Sequence, residues 1–187
     1  MAFPYKKILL IGATSGIGRA LGASLIQHGR FVIAVGRRQE NLDRFVQEHG
    51  TENAAGIQFD INKLNEIPQF VKSVTSSHPD LDCVFVNSGM QRRSVFTEPE
   101  SISIDEIQTE MTVTELHDEK NQPDMAHMRG RAFGIPVDQF TTEAMKKLLA
   151  GDDQIPVGLS TIAFDSWEQQ RQQAFHRVVE MMRKGEF

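Results

Sequence analysis

The 187-residue sequence has few of the features that disulfide-bonded, membrane-spanning and nucleic-acid-binding proteins need. A single cysteine, Cys83, excludes an internal disulfide and fits a reducing compartment. No apolar run is long enough to span a bilayer, and the start of the sequence lacks a signal-peptide pattern. The net charge of −5, without a cluster of Lys and Arg, argues against a nucleic-acid surface. Composition therefore favours a cytoplasmic protein whose residues 1–187 form a single domain.

The first half of the sequence alternates apolar strand patterns with amphipathic helix patterns. The pattern predicts four strands, at residues 6–11, 31–35, 55–59 and 83–86. It predicts helices between them, at residues 17–28, 41–49 and 66–77. Short loops between alternating strands and helices are typical of right-handed βαβ units. We therefore predict an α/β fold with a Rossmann-type doubly wound parallel sheet.

A glycine-rich turn, Gly12-Ala13-Thr14-Ser15-Gly16-Ile17-Gly18, follows the first predicted strand and opens the first helix. Gly12 permits a tight turn, Gly16 lets the backbone approach phosphates, and Gly18 lets the helix pack closely on the strand. Backbone N–H groups and the positive end of the helix then converge on one point, which suits a pyrophosphate. The turn therefore predicts a dinucleotide site at the end of this strand.

Two arginines, Arg37 and Arg38, follow the second predicted strand, where a protein that prefers NAD would carry an acidic residue. A carboxylate there accepts a hydrogen bond from the ribose 2′-OH, whereas guanidinium groups bind a 2′-phosphate bidentately. The alternative is that both arginines are solvated surface residues. We predict that the site prefers NADP(H) to NAD(H).

The second half of the sequence does not continue the alternation of strands and helices found in the first half. A helix is predicted over residues 103–113, and a polar stretch over 115–131 has no strand pattern. Two further helices are predicted over 141–150 and 165–184, with a possible short edge strand over 155–159 between them. The second half therefore lacks the apolar strands that would extend the sheet.

Two details of these later helices carry predictions of their own. Asp138 or Thr141 could cap the start of the helix over 141–150. The last helix has an apolar stripe; such a stripe more often lies in the core than at an interface, but the loss of covering elements described below raises the case for an interface. The stripe consists of Trp167, Ala174, Val178 and Met181.

Three motifs resemble those of the short-chain dehydrogenase/reductase family. The glycine turn matches that family's TGxxxGxG sequence, Asp60-Ile61 matches its Asp plus apolar pair at the adenine ring, and Asn87-Ser88-Gly89 matches its Asn-Asn-Ala-Gly segment. The resemblance covers residues 1–113 as a cofactor-binding half and implies NADP(H) as the cofactor. For Asp60, a helix cap or a turn is the alternative. The cofactor-binding residues so implied, together with the two arginines, are Gly12, Thr14, Ser15, Gly16, Ile17, Gly18, Arg37, Arg38, Asp60, Ile61, Asn87, Ser88 and Gly89.

The catalytic Tyr-x-x-x-Lys pair of that family has no counterpart in this sequence. The one tyrosine, Tyr5, precedes the first strand, and the residue four positions later is Leu9. Residues 114–187 resemble the substrate-side loop, helices and last strand of the family, especially of its fungal members. The resemblance therefore implies a sheet truncated at a seam near residues 113–116, without the fifth and sixth strands and the helix between them. The exposed edge of the fourth strand would then invite pairing with another chain, as a homodimer or by aggregation, unless the last strand lies beside it instead.

The residues alone leave the catalytic group unknown. A substitute acid/base set is conceivable in Glu110, His117, Asp118 and Glu119, but a loop of ordinary solvated charges is favoured. A metal site at His117, Asp118 and His127 matches no common ligand spacing, so we predict no metal.

Family descent implies an oxidoreductase that binds NADP(H) and a small-molecule carbonyl or alcohol substrate. Because the catalytic Ser-Tyr-Lys set is missing, we do not expect turnover by the family mechanism. One alternative is a non-redox cofactor-binding or regulatory protein that dimerises through the open strand edge. Another is a splice variant or gene-model remnant of a longer reductase.

Overall fold

The computed structural model describes residues 3–89, the backbone of 112–113, and residues 134–186. The strands in these ranges are β1 (Lys7–Ile11), β2 (Phe31–Gly36), β3 (Ala54–Gln58), β4 (Cys83–Val86), β5 (Thr112–Val113) and β6 (Ile135–Pro136). The helices are α1 (Gly16–Gln27), α2 (Gln39–His49), α3 (Ile67–Ser77), α4 (Val137–Ala150), α5 (Ser160–Ala163) and α6 (Gln169–Lys184). A 3₁₀ turn, Leu64–Glu66, precedes α3, and a π-helical turn, Phe164–Glu168, joins α5 to α6.

Strands β1 to β4 form a parallel sheet in the order β3-β2-β1-β4. Ile11 at the end of β1 pairs with Val35 of β2 and with Val86 of β4. Because all four strands are parallel, their carboxyl ends lie along one edge of the sheet. The chain leaves β1 toward β2 and β3 and then returns to its other side, so the strand order reverses between β1 and β4. This arrangement confirms the predicted Rossmann-type α/β fold.

The two faces of the sheet are covered by different helices. One face packs alternate strand residues such as Ile8 and Val32 against α1, α2 and α4, with Phe45 fully buried between them. The other face packs Leu9 and Ile33 against α3, where Val74 is buried. Strands covered on both faces are mainly apolar, as β2 is throughout and β1 is after Lys7.

Phe3 connects the start of the described chain to the end of α4. Its backbone N–H donates to the carbonyl oxygen of Leu149 at 3.3 Å. Its own carbonyl oxygen accepts from Nη2 of Arg30 at 3.1 Å. The Phe3 ring is buried in the same core cluster as Met145 of α4. Backbone and side chain therefore hold α4 against α1 from one end.

The edge strand predicted over 155–159 is wrong, because these residues form an irregular segment and a turn. Pro156 has no N–H to donate to a neighbouring strand, and its carbonyl oxygen accepts from Nζ of Lys147 at 2.6 Å. The N–H of Val157 donates to Oγ of Ser160 at 2.9 Å. The polar groups of this backbone are thus bound locally, while the Val157 side chain fills the core.

Two predictions near α4 also need correction. Thr112–Val113 pairs in parallel with Ile135–Pro136, so the end of the helix predicted over 103–113 is a short strand instead. The rest of that predicted helix lies outside the described residues. The α4 helix begins at Val137, so Asp138 and Thr141 lie inside it and neither caps it. The hydroxyl of Thr141 instead donates to the carbonyl oxygen of Val137 at 2.7 Å.

The β4 strand has one exposed apolar face. Val84 and Val86 are 58% and 69% exposed, whereas Cys83 and Phe85 pack against the core. Burial raises the pKa of the Cys83 thiol, as expected for a structural cysteine. Among the helices that the structure describes, none is long and apolar enough to cross a membrane. The division of the domain at residue 113 stays a prediction.

Candidate functional site

The carboxyl edge of the sheet gathers the predicted site residues into one row. The glycine turn follows β1, Arg37 and Arg38 follow β2, Asp60 follows β3, and Asn87 follows β4. Hydrogen bonds link these strand ends to one another: the N–H of Gly12 donates to the carbonyl oxygen of Val35 at 2.9 Å. Four separate sequence segments thus meet at the place where the strand order reverses.

The close contacts around the glycine turn explain two of its glycines. Gly12 has a φ of +89°, and an added Cβ would lie 2.8 Å from the backbone of Ser88. A Cβ on Gly18 would overlap the carbonyl oxygen of Gly12 and lie 2.6 Å from Nδ2 of Asn87. A side chain at either position would therefore push β1, α1 and the segment after β4 apart.

The start of α1 offers N–H groups at this edge. Ser15 is the residue before the helix, and its side chain makes no capping hydrogen bond. The first turn of a helix carries N–H groups without intrahelical partners and the positive end of the helix dipole. Gly16, with a φ of +52°, opens the helix, while Ile17 packs toward the core. This end of α1 suits an anionic group such as a phosphate.

Arg38 reaches across from β2 to the glycine turn. Its Nη2 donates to Oγ1 of Thr14 at 3.1 Å and to Oγ of Ser15 at 2.5 Å. Arg37 is also exposed, and its backbone carbonyl oxygen accepts from Nε2 of Gln58 at 2.8 Å. The structure therefore places the Arg38 guanidinium beside the start of α1, rather than in solvent away from the turn.

Asn41 was not predicted as a site residue from the sequence. Its Nδ2 donates to the carbonyl oxygen of Thr14 at 2.9 Å, so the first turn of α2 holds the glycine turn in place. An amide side chain at the start of a predicted helix, three residues after the second arginine, was the available signal. From the sequence, Asn41 is predicted only to begin that helix, with no role at the cofactor site.

The segment after β3 has the turn geometry that was the alternative for Asp60. Its Oδ1 accepts from the N–H of Asn62 at 3.1 Å, and its carbonyl oxygen accepts from the N–H of Lys63 at 3.0 Å. Ile61 is exposed beside it. In this turn one carboxylate oxygen of Asp60 accepts a hydrogen bond, and the apolar side chain of Ile61 lies exposed at the edge of the candidate site.

The segment after β4 packs directly on the glycine turn. The N–H of Asn87 donates to the carbonyl oxygen of Ile11 at 2.9 Å, and its Nδ2 donates to that of Gly12 at 3.3 Å. Oγ of Ser88 is buried, and within the part of the chain that the structure describes it has no hydrogen-bond partner. Buried hydroxyls in proteins are usually hydrogen-bonded, so this one is available to a bound group. Gly89, the last residue of this range, is exposed.

These residues together fit a dinucleotide. Gly12 and Gly18 leave no room for side chains, the end of α1 presents N–H groups, Arg38 supplies a cation, and Ser88 supplies a hydroxyl without a partner among the described residues. In the described ranges, no group of His, Cys, Asp and Glu side chains is arranged to hold a metal ion.

Tyr5 lies at the other end of the sheet. It precedes β1, its ring packs edge-on against Phe3 with centroids 5.1 Å apart, and its side chain is exposed. Lys6 and the five residues of β1 separate it from the glycine turn, and β1 alone spans about 17 Å at about 3.3 Å per residue. Tyr5 therefore cannot act on a group bound at the carboxyl edge. The substitute set of Glu110, His117, Asp118 and Glu119, like His127, lies outside the described residues.

Comparison with known proteins assigns the family. The model of the family described as short chain dehydrogenase matches residues 6–124, and the chain belongs to this family. An uncharacterized oxidoreductase of Bacillus subtilis, YvrD, is 38% identical over 85 residues, which are 45% of this chain and 32% of that protein. The NADP-dependent 3-hydroxy acid dehydrogenase YdfG of Salmonella typhi is 32% identical over 83 residues, 44% of this chain and 33% of that protein.

Solved structures match a similar share of this chain. The closed form of a serine dehydrogenase complexed with NADP+ is 33% identical, with a TM-score of 0.41, over 45% of this chain and 34% of that one. The chain spans about a third of the length of the curated relatives described here.

Proposed function

We propose that this chain binds NADP(H) along the carboxyl edge of its sheet and is an oxidoreductase by descent. The observation that carries the proposal is the position of Arg38, whose guanidinium contacts Thr14 and Ser15 at the start of α1. A phosphate on the adenosine ribose would meet this guanidinium and that of Arg37, next to the pyrophosphate at the end of α1. The NADP dependence in the name of YdfG supports the same choice of cofactor.

The other predicted residues complete the proposed site. The glycine turn from Gly12 to Gly18 holds the pyrophosphate, Asp60 and Ile61 border the adenine, and Asn87 to Gly89 border the adenosine side. When bound, the cofactor supplies or accepts a hydride, and the substrate of such a reaction is a small carbonyl or alcohol. The exposed edge of β4 would serve as the homodimer contact.

A second candidate, a non-redox cofactor-binding protein, is supported by the position of Tyr5. This tyrosine is at the amino end of the sheet, so the chain has no tyrosine that can protonate a substrate oxygen at the carboxyl edge. We therefore expect cofactor binding without carbonyl reduction by the tyrosine mechanism.

Titration of the purified chain with NADPH and NADH, followed by calorimetry, tests the proposal. We expect tighter binding of NADPH, and Arg38→Ala should weaken NADPH binding about tenfold to a hundredfold, the value of one charged hydrogen bond or two. NADH binding should change little. Arg44→Ala, which removes the same charge from the exposed face of α2, is the matched control.

Each outcome of this titration decides between the candidates. Equal affinity for both cofactors, or an equal loss in both arginine variants, would contradict the assigned role of Arg38. Absence of binding to either cofactor would refute the site altogether. Where NADPH binds, its oxidation in the presence of a panel of aldehydes and ketones separates an enzyme from the non-redox candidate.

A further inference from the structure

The C-terminal helix carries large apolar side chains that face solvent. Residues 160–184 form one continuous helical segment, made of α5, the π-helical turn and α6. Within it Trp167 is 57% exposed and Phe175 is 59% exposed, and Val178 and Met181 are each more than a third exposed. The prediction that this stripe lies in the core is therefore wrong. Contiguous exposed apolar surface of this kind marks an interaction site.

The stripe has the spacing of a helix-pairing seam. Trp167, Arg171, Ala174, Val178 and Met181 follow one another at alternating intervals of four and three residues. This repeat keeps one narrow face of a helix directed at a partner helix. Arg171 fits the seam because Glu168 accepts from its Nε at 2.8 Å and from its Nη2 at 2.5 Å, so its charge is paired and its aliphatic stem lies along the helix.

The seam is complementary to itself in the reversed direction. If Trp167 lies opposite Val178 of a second copy, then Arg171 lies opposite Ala174, and the same pairs recur on the other side of a two-fold axis. Large side chains then face smaller ones, and the bulky arginine faces the smallest residue of the stripe. Phe175 flanks the axis and would cover the centre of the pair.

The charges of the helix favour the same direction. Asp165 and Glu168 lie near its start, whereas Arg177, Arg183 and Lys184 lie toward its end. In this antiparallel register Glu168 of one copy lies opposite Arg177 of the other, and the two helix dipoles oppose each other favourably, whereas Asp165 lies opposite Glu180 at the outer end of the pair. Parallel packing would place like charges side by side.

We propose that the helix of residues 160–184 pairs antiparallel with the same helix of a second copy of this chain. This contact is separate from the cofactor site and from the β4 edge, so its test does not depend on the proposed function. Val178 is exposed, so substitution there changes the seam without disturbing the core.

Sedimentation equilibrium of the full chain over a wide range of concentration tests the pairing. We expect a monomer–dimer equilibrium whose dissociation constant rises at least tenfold in Val178→Asp and is unchanged in Gln173→Asp. Gln173 is exposed on the outer face of α6, so the control adds the same carboxylate outside the seam. A chain that stays monomeric, or a dimer that Val178→Asp leaves intact, would overturn the proposal.

Trp167 reports on the same contact, because it is the one tryptophan in the sequence. Its emission should shift to shorter wavelength as the chain dimerises and should stay unshifted in Val178→Asp. Emission that is independent of concentration in a dimerising chain would place the contact elsewhere and refute the seam.

Spin labels test the direction of the pair. In a Cys83→Ser background, labels on Glu180→Cys should be about 25 Å apart in the antiparallel pair, since each lies opposite residue 165, about 22 Å along the axis at 1.5 Å per residue, and the helices are about 10 Å apart. A parallel pair would bring them to about 10 Å, the distance between packed helices, and that result would overturn the proposed direction.

Discussion

Gly18→Ala tests whether the glycine turn depends on close contact between backbones. The added Cβ would overlap the carbonyl oxygen of Gly12 and crowd Nδ2 of Asn87, which donates to that same oxygen at 3.3 Å. Both obstacles belong to the tightly packed ends of β1 and β4. The turn must therefore open for the methyl group to fit.

The expected cost follows from three opposing contributions. Replacing glycine by alanine inside a helix gains about 1 kcal/mol of helix propensity. Overpacking a filled site costs about 1–3 kcal/mol, and loss of the Asn87 hydrogen bond costs about 1 kcal/mol more. We expect Gly18→Ala to lower the free energy of unfolding by about 1–3 kcal/mol, and to weaken cofactor binding as the turn opens.

Gly22→Ala is the matched control, one turn further along α1. Its Cβ would lie 3.0 Å from the ring tip of Phe45 and 3.1 Å from Cδ2 of Leu10, both of which are ends of side chains. These atoms can move, so we expect a free energy of unfolding within about 1 kcal/mol of the original chain. Urea denaturation of both variants measures the difference. Equal stability of the two variants would refute the argument that backbone contact sets the requirement for Gly18.

Two further predictions concern the core and the C-terminal helix. Phe45→Ala should lower the free energy of unfolding by about 3–5 kcal/mol, because the ring is fully buried. Arg44→Ala, at the adjacent exposed position, should change it by less than about 0.5 kcal/mol. Similar losses in the two variants would be inconsistent with this packing. The side-chain hydrogen bond from Arg171 lowers the pKa of Glu168 to about 2 from an ordinary value of 4.5, so this pair stabilises α6 above pH 4.5 and the stabilisation is lost as the pH falls toward 2. Far-UV circular dichroism should show that loss of helix in the original chain and a smaller one in Glu168→Gln, and identical acid titrations would count against the ion pair.

β1 and β2 could be predicted from sequence because burial on both faces makes them apolar, whereas β3 and β4 have exposed residues and could be predicted from short, mostly apolar runs between helix patterns. All of Phe31 to Val35 is apolar, and the structure gives β2 these residues plus Gly36. The bounds predicted for β4 agree with the structure, since Asp82 and Asn87 interrupt the apolar run on either side. Gly29 and Gly50 follow helix ends with positive φ, which is why those ends could be predicted.

Other features depend on tertiary contacts that no local pattern records. Pro156 lies in an apolar run that suggests a strand, but the bond from Lys147 fixes it as an irregular segment. The link from Asn41 to Thr14 spans 27 positions and joins the first turn of α2 to the glycine turn. Trp167 has the same helical spacing whether a helix faces the core or solvent, so periodicity alone could not decide its exposure.

The position of Phe3 has a consequence for the order in which parts of the molecule open. Its backbone bonds to Leu149 and Arg30 join the first described residues to a helix that comes late in the chain. Amide hydrogens of α4 and of the first strand should therefore exchange with solvent as one cooperative group. Residue 3 is synthesised before α4, so this residue completes its contacts only after α4 has been made. The amino side of α4 therefore forms before its end is attached, and removal of Phe3 would loosen that end of the helix.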